Sequence, residues 1–207
     1  MTAVRGTFVS VCSIDGAGKT TLLKGLHDHL LSRGLDPVLT REPGGTALGE
    51  KLRMIVLDPN LRGLSAETEV LLMFAMRAQL VRDVIEPALA AGRWVLSDRF
   101  TDASYAYQGG GRGIQKERIA WLEEFATAGL VPDRTLLLDI PVHTGRARTV
   151  VRGRIDRIET ETDAFFNRVR DTYLDRAAAE PDRFRVIDAT PAADKVLASA
   201  IEALSGL

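Results

Sequence analysis

The chain has 207 residues, of which 45% are hydrophobic, so it can bury one sizeable core and is expected to form one domain or at most two. Its net charge of −1 and the absence of any apolar run near the about 20 residues that cross a bilayer argue against a nucleic-acid or membrane partner. Cys12 is the only cysteine, which excludes a disulfide within the chain and favours a reducing cytoplasm.

The first predicted strand and helix flank a glycine-rich loop. An apolar run at 7–12 predicts a strand, a periodic segment at 20–32 predicts a helix, and between them lies Ser13-Ile14-Asp15-Gly16-Ala17-Gly18-Lys19-Thr20-Thr21. This order is typical of a phosphate-binding P-loop, in which backbone N–H groups and a helix N-terminus surround an anion. Lys19 adds a charge, and the Thr20 hydroxyl can hold Mg²⁺. Because the motif has glycine where this chain has Ser13, a plain glycine-rich turn is the alternative.

The rest of the chain alternates short apolar segments with longer helical patterns. Strands are expected at 37–40, 94–97, 135–139 and 184–187, and helices at 48–57, 66–91, 116–127, 144–151, 161–180 and 192–204. Several strands are almost continuously apolar, as in parallel strands covered on both faces, so we expect an α/β fold with a five-stranded parallel sheet. Pro87 is expected to kink or end its helix. Segments 41–46 and 108–113 predict loops, and loops at the carboxyl ends of such strands hold the ligand.

Charged residues follow two of the predicted strands. Asp98 can bind Mg²⁺ directly or through water, and Arg99 beside it can clamp a phosphate. Asp139, at another strand end, is a rival for the metal, and a structural salt bridge is the alternative for Asp98. After the second strand, Arg41 can bind an anion and Glu42 can orient it or contact metal-bound water, although an ordinary turn that caps the next helix explains the segment equally.

A second group of side chains suits a nucleobase and its sugar. Phe74 and Arg77 are three residues apart and share a helix face, where a ring can stack on a base and an arginine can read its edge. Ser104, Tyr107 and Gln108 add hydroxyl and amide groups next to a run of glycines. A core phenylalanine and an ordinary polar loop are the alternatives.

Basic charge is concentrated in one segment of the chain. Five arginines lie there, at Arg146, Arg148, Arg152, Arg154 and Arg157. Such a block is usually solvated surface, and nearby acidic residues can pair with it. Phosphoryl transfer, however, needs cations that arrive when the site closes, so we expect a mobile lid at about 146–160.

In their order and spacing, these segments resemble thymidylate kinase of the bacterial type, a P-loop nucleoside-monophosphate kinase. The resemblance covers nearly the whole chain. It rests on the P-loop, Thr-Arg-Glu-Pro-Gly-Gly-Thr at 40–46, Leu-Leu-Met-Phe-Ala-Met-Arg at 71–77, Asp-Arg-Phe-Thr-Asp at 98–102, Ala-Tyr-Gln-Gly-Gly-Gly-Arg-Gly at 106–113, Arg-Gly-Arg-Ile-Asp-Arg-Ile-Glu at 152–159 and Val-Ile-Asp-Ala-Thr at 186–190. It implies a three-layer P-loop NTPase fold in one domain, 1–207, as a cytoplasmic homodimer that converts dTMP to dTDP with ATP and Mg²⁺.

The resemblance also implies roles for individual residues. It implies an ATP site at Asp15, Gly16, Ala17, Gly18, Lys19, Thr20, Thr21 and Arg148, with the segment after Asp188 on the adenine side. It implies a dTMP site at Asp15, Arg41, Glu42, Phe74, Arg77, Arg99, Ser104, Tyr107 and Gln108, with Tyr107 beside the sugar 2′ carbon, and a metal site at Thr20 and Asp98. It implies catalytic roles for Lys19, Asp98, Arg99 and Arg152; Arg148, Arg154 and Arg157 are alternatives to Arg152.

Two departures keep other hypotheses open. Cys12-Ser13 stands where the family usually has Glu-Gly, and Phe74 lies three residues before Arg77 where the family often has four, the position of Met73. The alternatives are a non-catalytic nucleotide-binding P-loop protein and a kinase for another nucleoside monophosphate. Cys12 itself is either a buried small hydrophobe or a reactive thiol.

Overall fold

The computed structural model describes residues 5–152 and 156–207, without the side chains of 150–152. Its five strands form one parallel sheet in the order β2-β3-β1-β4-β5. The strands are β1 (Phe8–Cys12), β2 (Val38–Arg41), β3 (Val95–Asp98), β4 (Arg134–Asp139) and β5 (Phe184–Asp188). Each lies within one residue of its predicted position, and the predicted α/β architecture is confirmed.

Helices fill the connections between the strands. They are α1 (Lys19–Ser32), α2 (Ala47–Leu57), α3 (Ala66–Leu80), α4 (Glu86–Ala90), α5 (Thr101–Ser104), α6 (Lys116–Thr127), α7 (Val142–Arg152), α8 (Asp163–Ala179) and α9 (Ala193–Ala203). Hydroxyl side chains of Thr46, Ser65 and Thr162 accept backbone N–H groups at the starts of α2, α3 and α8. In the described part of the chain, no helix combines the length and apolar character that a membrane crossing requires.

The loop predicted at 108–113 is largely helical. Tyr105–Gly111 continues α5 as a π-helical segment. Its glycines allow close packing on α8, because a Cβ on Gly110 would lie 2.0 Å from the Thr172 hydroxyl and one on Gly111 would lie 2.5 Å from the Phe165 ring. Gly110 and Gly111 therefore allow two helical elements to pack closely. A run of glycines in the sequence is equally typical of a loop, so the sequence pattern does not distinguish the two.

The helix predicted at 66–91 contains a second irregular turn. A π-helical segment, Val81–Ile85, lies between α3 and α4, and the helical path runs past Pro87 to Ala90. The helix therefore does not end at Pro87, and the alternative expectation, a kink at this proline, stays a prediction. Proline has no N–H to donate to the carbonyl four residues earlier, which is that of Asp83. Asp83 lies in the π-helical segment, where carbonyls accept from the fifth residue rather than the fourth, so the helical path tolerates the proline.

The sheet is covered on both faces. One apolar cluster packs residues of α1, α8 and α9, such as Leu26 and Val169, against the sheet, and another packs Leu80 and Ile85 against Phe8. All residues of β1, and those of β4 up to Leu138, are buried although successive side chains point to opposite faces, so both faces are covered and the fold has three layers. The carboxyl ends of β1, β2 and β3 are adjacent, so the segments that follow these strands meet at one edge of the sheet.

Candidate nucleotide-binding site

A cavity of about 440 Å³ opens at this edge of the sheet. Most of the predicted site residues line it, namely Asp15, Gly16, Gly18, Lys19, Thr20, Thr21, Arg41, Glu42, Asp98, Arg99, Tyr107, Gln108 and Arg148. The volume is within the range of small-molecule sites. The fold thus brings together groups from widely separated segments of the chain.

The P-loop is held closely against the start of α7. Gly16 has φ of +82°, and a Cβ there would lie 2.0 Å from the carbonyl oxygen of Gly145. Only glycine meets both conditions without strain. Gly18 caps α1, which begins at Lys19, so the helix N-terminus points into the loop.

Ser13 fits the P-loop without a glycine conformation. Among the described residues, Arg99 and Ala128 are the only non-glycine residues with positive φ, so Ser13 lies outside the left-handed region. Its buried hydroxyl donates to the carbonyl of Ile14 at 2.6 Å and accepts from Lys19 Nζ at 2.9 Å. The serine therefore adds an acceptor for the P-loop lysine.

Lys19 is a buried cation in this loop. Burial, together with the charge of Arg99, lowers the pKa of Lys19, while Asp98 and Asp15 act in the opposite direction. Asp15 Oδ1 lies 3.8 Å from Lys19 Nζ. Asp98 and Asp15 thus compensate the positive charge of this buried ammonium group only in part. A polyanionic ligand would supply further negative charge, so the site is suited to one.

Arg99 is locked into one orientation. Its guanidinium donates to the Ser13 carbonyl at 2.6 Å, to Asp15 Oδ1 at 2.8 Å and to the hydroxyls of Tyr107 and Tyr173 at 3.0 and 3.1 Å. Its backbone has φ of 71°, a conformation that costs a non-glycine residue about 1–3 kcal/mol. These bonds offset that cost and fix the cation at the cavity wall.

Asp98 has the properties expected of a metal ligand. Its Oδ1 atom is buried and has no hydrogen-bond partner in residues 5–152 and 156–207. None of the ion pairs found in these ranges includes Asp98. The alternative role of Asp98, a structural salt bridge, therefore has no support in the described residues. The rival, Asp139, is bound by Arg170 through contacts of 2.7 and 2.8 Å. The described residues contain no group of three or more His, Cys, Asp or Glu side chains that could hold a metal ion.

Glu42 pairs with Arg77 rather than orienting Arg41. The Arg77 guanidinium is fully buried and donates to Glu42 Oε2 at 2.6 and 2.9 Å and to the Ser104 hydroxyl at 3.0 Å. Burial raises the pKa of Glu42, although the Arg77 charge opposes the shift. Arg41 instead reaches Glu50 at 2.9 Å on the exposed side. Glu42 thus does not orient Arg41 in this structure, and the other expectation, contact of Glu42 with metal-bound water, stays a prediction.

Phe74, Arg77 and Ser104 form a layer behind the cavity wall. The Arg77 guanidinium lies 4.4 Å from the Phe74 ring centroid, and Phe74 packs with Val70 and Ile119. Met73 lines the cavity, whereas none of these three does. Their contacts with a base stay predictions.

A smaller cavity of about 280 Å³ shares Gly18, Thr21 and Arg148 with the first one. Ala17, Gly18, Thr21 and Arg148 line it together with Ala189 and residues 191–193, which follow β5. Arg148 also donates to the Ala189 carbonyl at 3.3 Å. Arg148 therefore stands between the two cavities.

The predicted lid arginines have different surroundings. Arg154 and the side chain of Arg152 lie outside the described part of the structure. Arg146 pairs with Asp163 at 2.8 Å, and Arg157 with Glu69 at 2.5 Å. Arg146 and Arg157 thus form ion pairs with acidic residues of α8 and α3. Among the lid arginines whose side chains the structure describes, Arg148 is the one that lines the cavity.

Comparison with known proteins identifies the family. The family model described as thymidylate kinase matches residues 14–200. The chain belongs to the thymidylate kinase family. The thymidylate kinase of Halorhodospira halophila is 57% identical over 187 residues, 89% of this chain and 87% of that protein. That of Pseudomonas syringae pv. tomato is 53% identical over 194 residues, 94% and 92% of the two chains.

A solved thymidylate kinase also shares the fold. The crystal structure of the enzyme from Ehrlichia chaffeensis superposes with a TM-score of 0.80 at 31% identity, covering 97% of this chain and 100% of that one. The predicted P-loop NTPase fold and the resemblance to thymidylate kinase are thereby confirmed.

Sequence reasoning missed several residues of this thymidylate kinase site. Tyr173 binds Arg99, Glu69 binds Gln108, and Arg53 lines the cavity while donating to the Pro43 carbonyl at 2.6 Å. The sequence near these residues contains no motif that predicts their roles, because their partners lie in other helices and strands. Cys12 is a buried thiol whose pKa is raised to about 12, chiefly by burial, and this is the inert alternative.

Proposed function

We propose that this chain transfers the γ-phosphoryl group of ATP in line to a phosphate oxygen of dTMP, giving dTDP and ADP. ATP-dependent phosphorylation of dTMP is the reaction of the family to which the chain belongs. The observation that carries the proposal is the single cavity lined by P-loop residues, Asp98, Arg99, Tyr107 and Gln108. It joins a phosphate-binding loop to groups that suit a nucleoside.

The two nucleotides occupy opposite sides of the P-loop in this proposal. ATP extends from Lys19 past Arg148 toward the smaller cavity, where the segment after β5 provides the adenine side. The dTMP phosphate lies beside Arg99 and Arg41, and its sugar lies near Asp15 and Tyr107. Phe74, Arg77, Ser104 and Gln108 are assigned to the base.

Mg²⁺ is assigned to Thr20 and Asp98, both of which line the cavity. The buried, unpartnered Oδ1 atom of Asp98 supports this assignment. When bound, the ion neutralises charge on the ATP phosphates. The acceptor is already an anion, so the chain needs no strong general base, and Lys19 and Arg99 act by positioning and by neutralising charge.

A substrate panel tests the proposed reaction. Coupled ADP formation is measured with dTMP, dUMP, UMP, CMP and AMP. We expect ADP release that depends on dTMP and is highest with it. Absence of dTMP-dependent ADP would instead indicate a non-catalytic nucleotide-binding protein, and a higher kcat/KM for another acceptor would indicate a different kinase.

Arg152 is our first choice for the catalytic lid arginine. Arg152→Ala should lower kcat by about 10³-fold or more, because such arginines stabilise the charge on the transferred group. The thermal midpoint of unfolding should move little. An unchanged kcat would redirect the test to Arg148→Ala, since Arg148 lines the cavity, with Arg146→Ala as the control on the same helix.

A homodimer is the proposed assembly. Large apolar side chains are exposed on α2, α3 and α6, including Met54 at 68%, Leu71 at 56%, Trp121 at 65% and Phe125 at 77%. A second copy of the chain would remove such surface from water. Sedimentation should give twice the chain mass of 22.6 kDa, and Leu71→Asp should weaken the dimer. A monomer at micromolar concentration would contradict the assignment.

We further assign the protein to the cytoplasm, as one domain spanning 1–207. The lone cysteine, which is buried, suits a reducing compartment. Fractionation of cells with an antibody against the protein tests the location. Limited proteolysis tests the single domain, which should resist cleavage into two stable parts.

A further inference from the structure

A buried carboxylate stands directly behind the proposed base site. Glu69 on α3 is 1% exposed, and its Oε1 accepts a hydrogen bond from Gln108 Nε2 at 2.9 Å. Gln108 is itself fully buried and lines the cavity. Its other amide atom, Oε1, is buried and has no hydrogen-bond partner among the described residues.

Glu69 is held as an anion. Burial by itself would raise the pKa of Glu69, but hydrogen bonds from Gln108 and Arg157 and the charges of Arg112 and Arg157 outweigh burial and lower it. An ionised carboxylate accepts hydrogen bonds and donates none. The amide of Gln108 must therefore turn its NH₂ group toward Glu69, which leaves its oxygen on the opposite side.

We propose that Glu69 is a positioning residue that holds the Gln108 amide with Oε1 facing the bound base, where it accepts the N3–H of a pyrimidine. The inference rests on the proposed placement of the base beside Gln108. It assigns Glu69, which never touches the nucleotide, a part in choosing the base.

The selectivity follows from the edges of the pyrimidines. Thymine and uracil carry a hydrogen at N3, whereas N3 of cytosine is an acceptor. An amide oxygen fixed by Glu69 bonds the first two and repels the third. A site built around a hydrogen bond to its substrate rejects an analogue that lacks the donor far more strongly than an apolar pocket does.

The test compares dUMP with dCMP, which both lack the 5-methyl group and differ only at ring positions 3 and 4. Wild-type enzyme should prefer dUMP by about 100-fold or more in kcat/KM. Glu69→Gln should reduce this ratio about tenfold or more, because the new amide can donate to Gln108 and turn it over. Its effect on dTMP should lie mainly in KM, with kcat much less affected.

Glu161→Gln is the matched control. Glu161 contacts Arg112 in the same charged cluster, whereas the Gln108 amide donates to Glu69, so this variant should keep the wild-type ratio. Should Glu69→Gln not fold, Glu69→Asp retains the charge near Arg112 and Arg157 but shortens the reach to Gln108. It should also reduce the ratio.

Three results overturn the inference: a wild-type enzyme that does not prefer dUMP, a folded Glu69 variant with the wild-type ratio, or a Glu161→Gln ratio that falls as far as that of Glu69→Gln. The same assay measures turnover of dTMP independently of this ratio. The proposed kinase activity is therefore tested separately from the role of Glu69. Loss of dTMP-dependent ADP in the wild type would instead contradict the proposed function.

Discussion

Two aspartates only four positions apart in the sequence, Asp98 and Asp102, differ in whether the protein itself satisfies their carboxylate oxygens. Asp102 is fully buried, and both its oxygens are engaged: Arg176 and Arg183 contact Oδ1 at 2.6 and 3.0 Å, and Arg183 contacts Oδ2 at 2.7 Å. Asp98 lies at the cavity with a buried Oδ1 that has no partner in the described part of the chain. Gln108 has such an oxygen too.

The contrast separates a residue whose oxygens are satisfied within the fold, Asp102, from Asp98 and Gln108, which we propose to contact the nucleotide or its metal. Buried polar groups are almost always hydrogen-bonded, because an unpaired one forfeits the hydration it had in the unfolded chain. The Asp102 cluster meets that requirement internally. The cavity does not, and a nucleotide with its metal would complete it. Substitution of Asp102 should therefore lower the free energy of unfolding, whereas substitutions at the cavity should lower activity.

Asp102→Asn should have the largest effect, and on stability. Removing one partner of a buried ion pair costs about 3–5 kcal/mol, and Arg176 and Arg183 would then rely on Glu180, which is 41% exposed, for their negative partner. Urea unfolding should show this loss, while kcat of the folded enzyme changes little. A loss below about 1 kcal/mol would mean that the cluster contributes little to folding.

The same cluster has a defined pH dependence. Burial alone would raise the pKa of Asp102, but hydrogen bonds and charges from Arg183 and Arg176 lower it below its ordinary value of 3.8. Its contribution to stability is therefore complete above pH 3.8 and is lost as the pH falls through the folded-state pKa. Unfolding free energies measured from pH 6 down to pH 2 should fall less steeply for Asp102→Asn than for the wild type.

Lys19→Ala should show the opposite pattern. Loss of the P-loop cation should lower kcat with saturating ATP and dTMP by about 10²–10³-fold, as for other preorganised groups that stabilise developing charge. Because burial penalises the charge of Lys19, stability should be unchanged or higher. Turnover near that of the wild type would exclude the proposed mechanism, and Lys24→Ala on the exposed face of α1 is the control.

Asp98→Asn should have a smaller effect, directed at the metal. The amide keeps the shape of the side chain but weakens binding of Mg²⁺, so the Mg²⁺ concentration for half-maximal activity should rise about 10–100-fold. The thermal midpoint should not fall, since no ion pair in the described part of the structure involves Asp98. An unchanged Mg²⁺ requirement would assign the metal elsewhere.

Ser13→Gly should have the smallest effect. It removes the hydroxyl bonded to Lys19 and Ile14, at a cost of about 1 kcal/mol in unfolding free energy, and should lower kcat only about threefold. Ser13→Ala separates the hydroxyl from the backbone, because it loses the bonds without adding glycine flexibility. A clear rise in activity for Ser13→Gly would show instead that the serine obstructs the phosphate site.

The order of strands and helices and the position of the phosphate-binding loop follow from the amino-acid pattern alone. These features depend on neighbouring residues: apolar runs set the strands, and the glycines before Lys19 set the loop. The carboxyl ends of parallel strands share one edge, and Asp98, Arg99 and Arg41 line the same cavity as Lys19.

The partner of each charged group, in contrast, depends on how distant segments fold together. Glu42 binds Arg77 across 35 positions, Gln108 binds Glu69 across 39, and Arg99 binds Tyr173 across 74. Such pairs leave no local pattern, because each residue alone looks like an ordinary charged or polar position. The choice of Met73 over Phe74 for the cavity wall was likewise set by how α3 packs on its neighbours, since residues three and four positions before Arg77 lie on the same side of a helix.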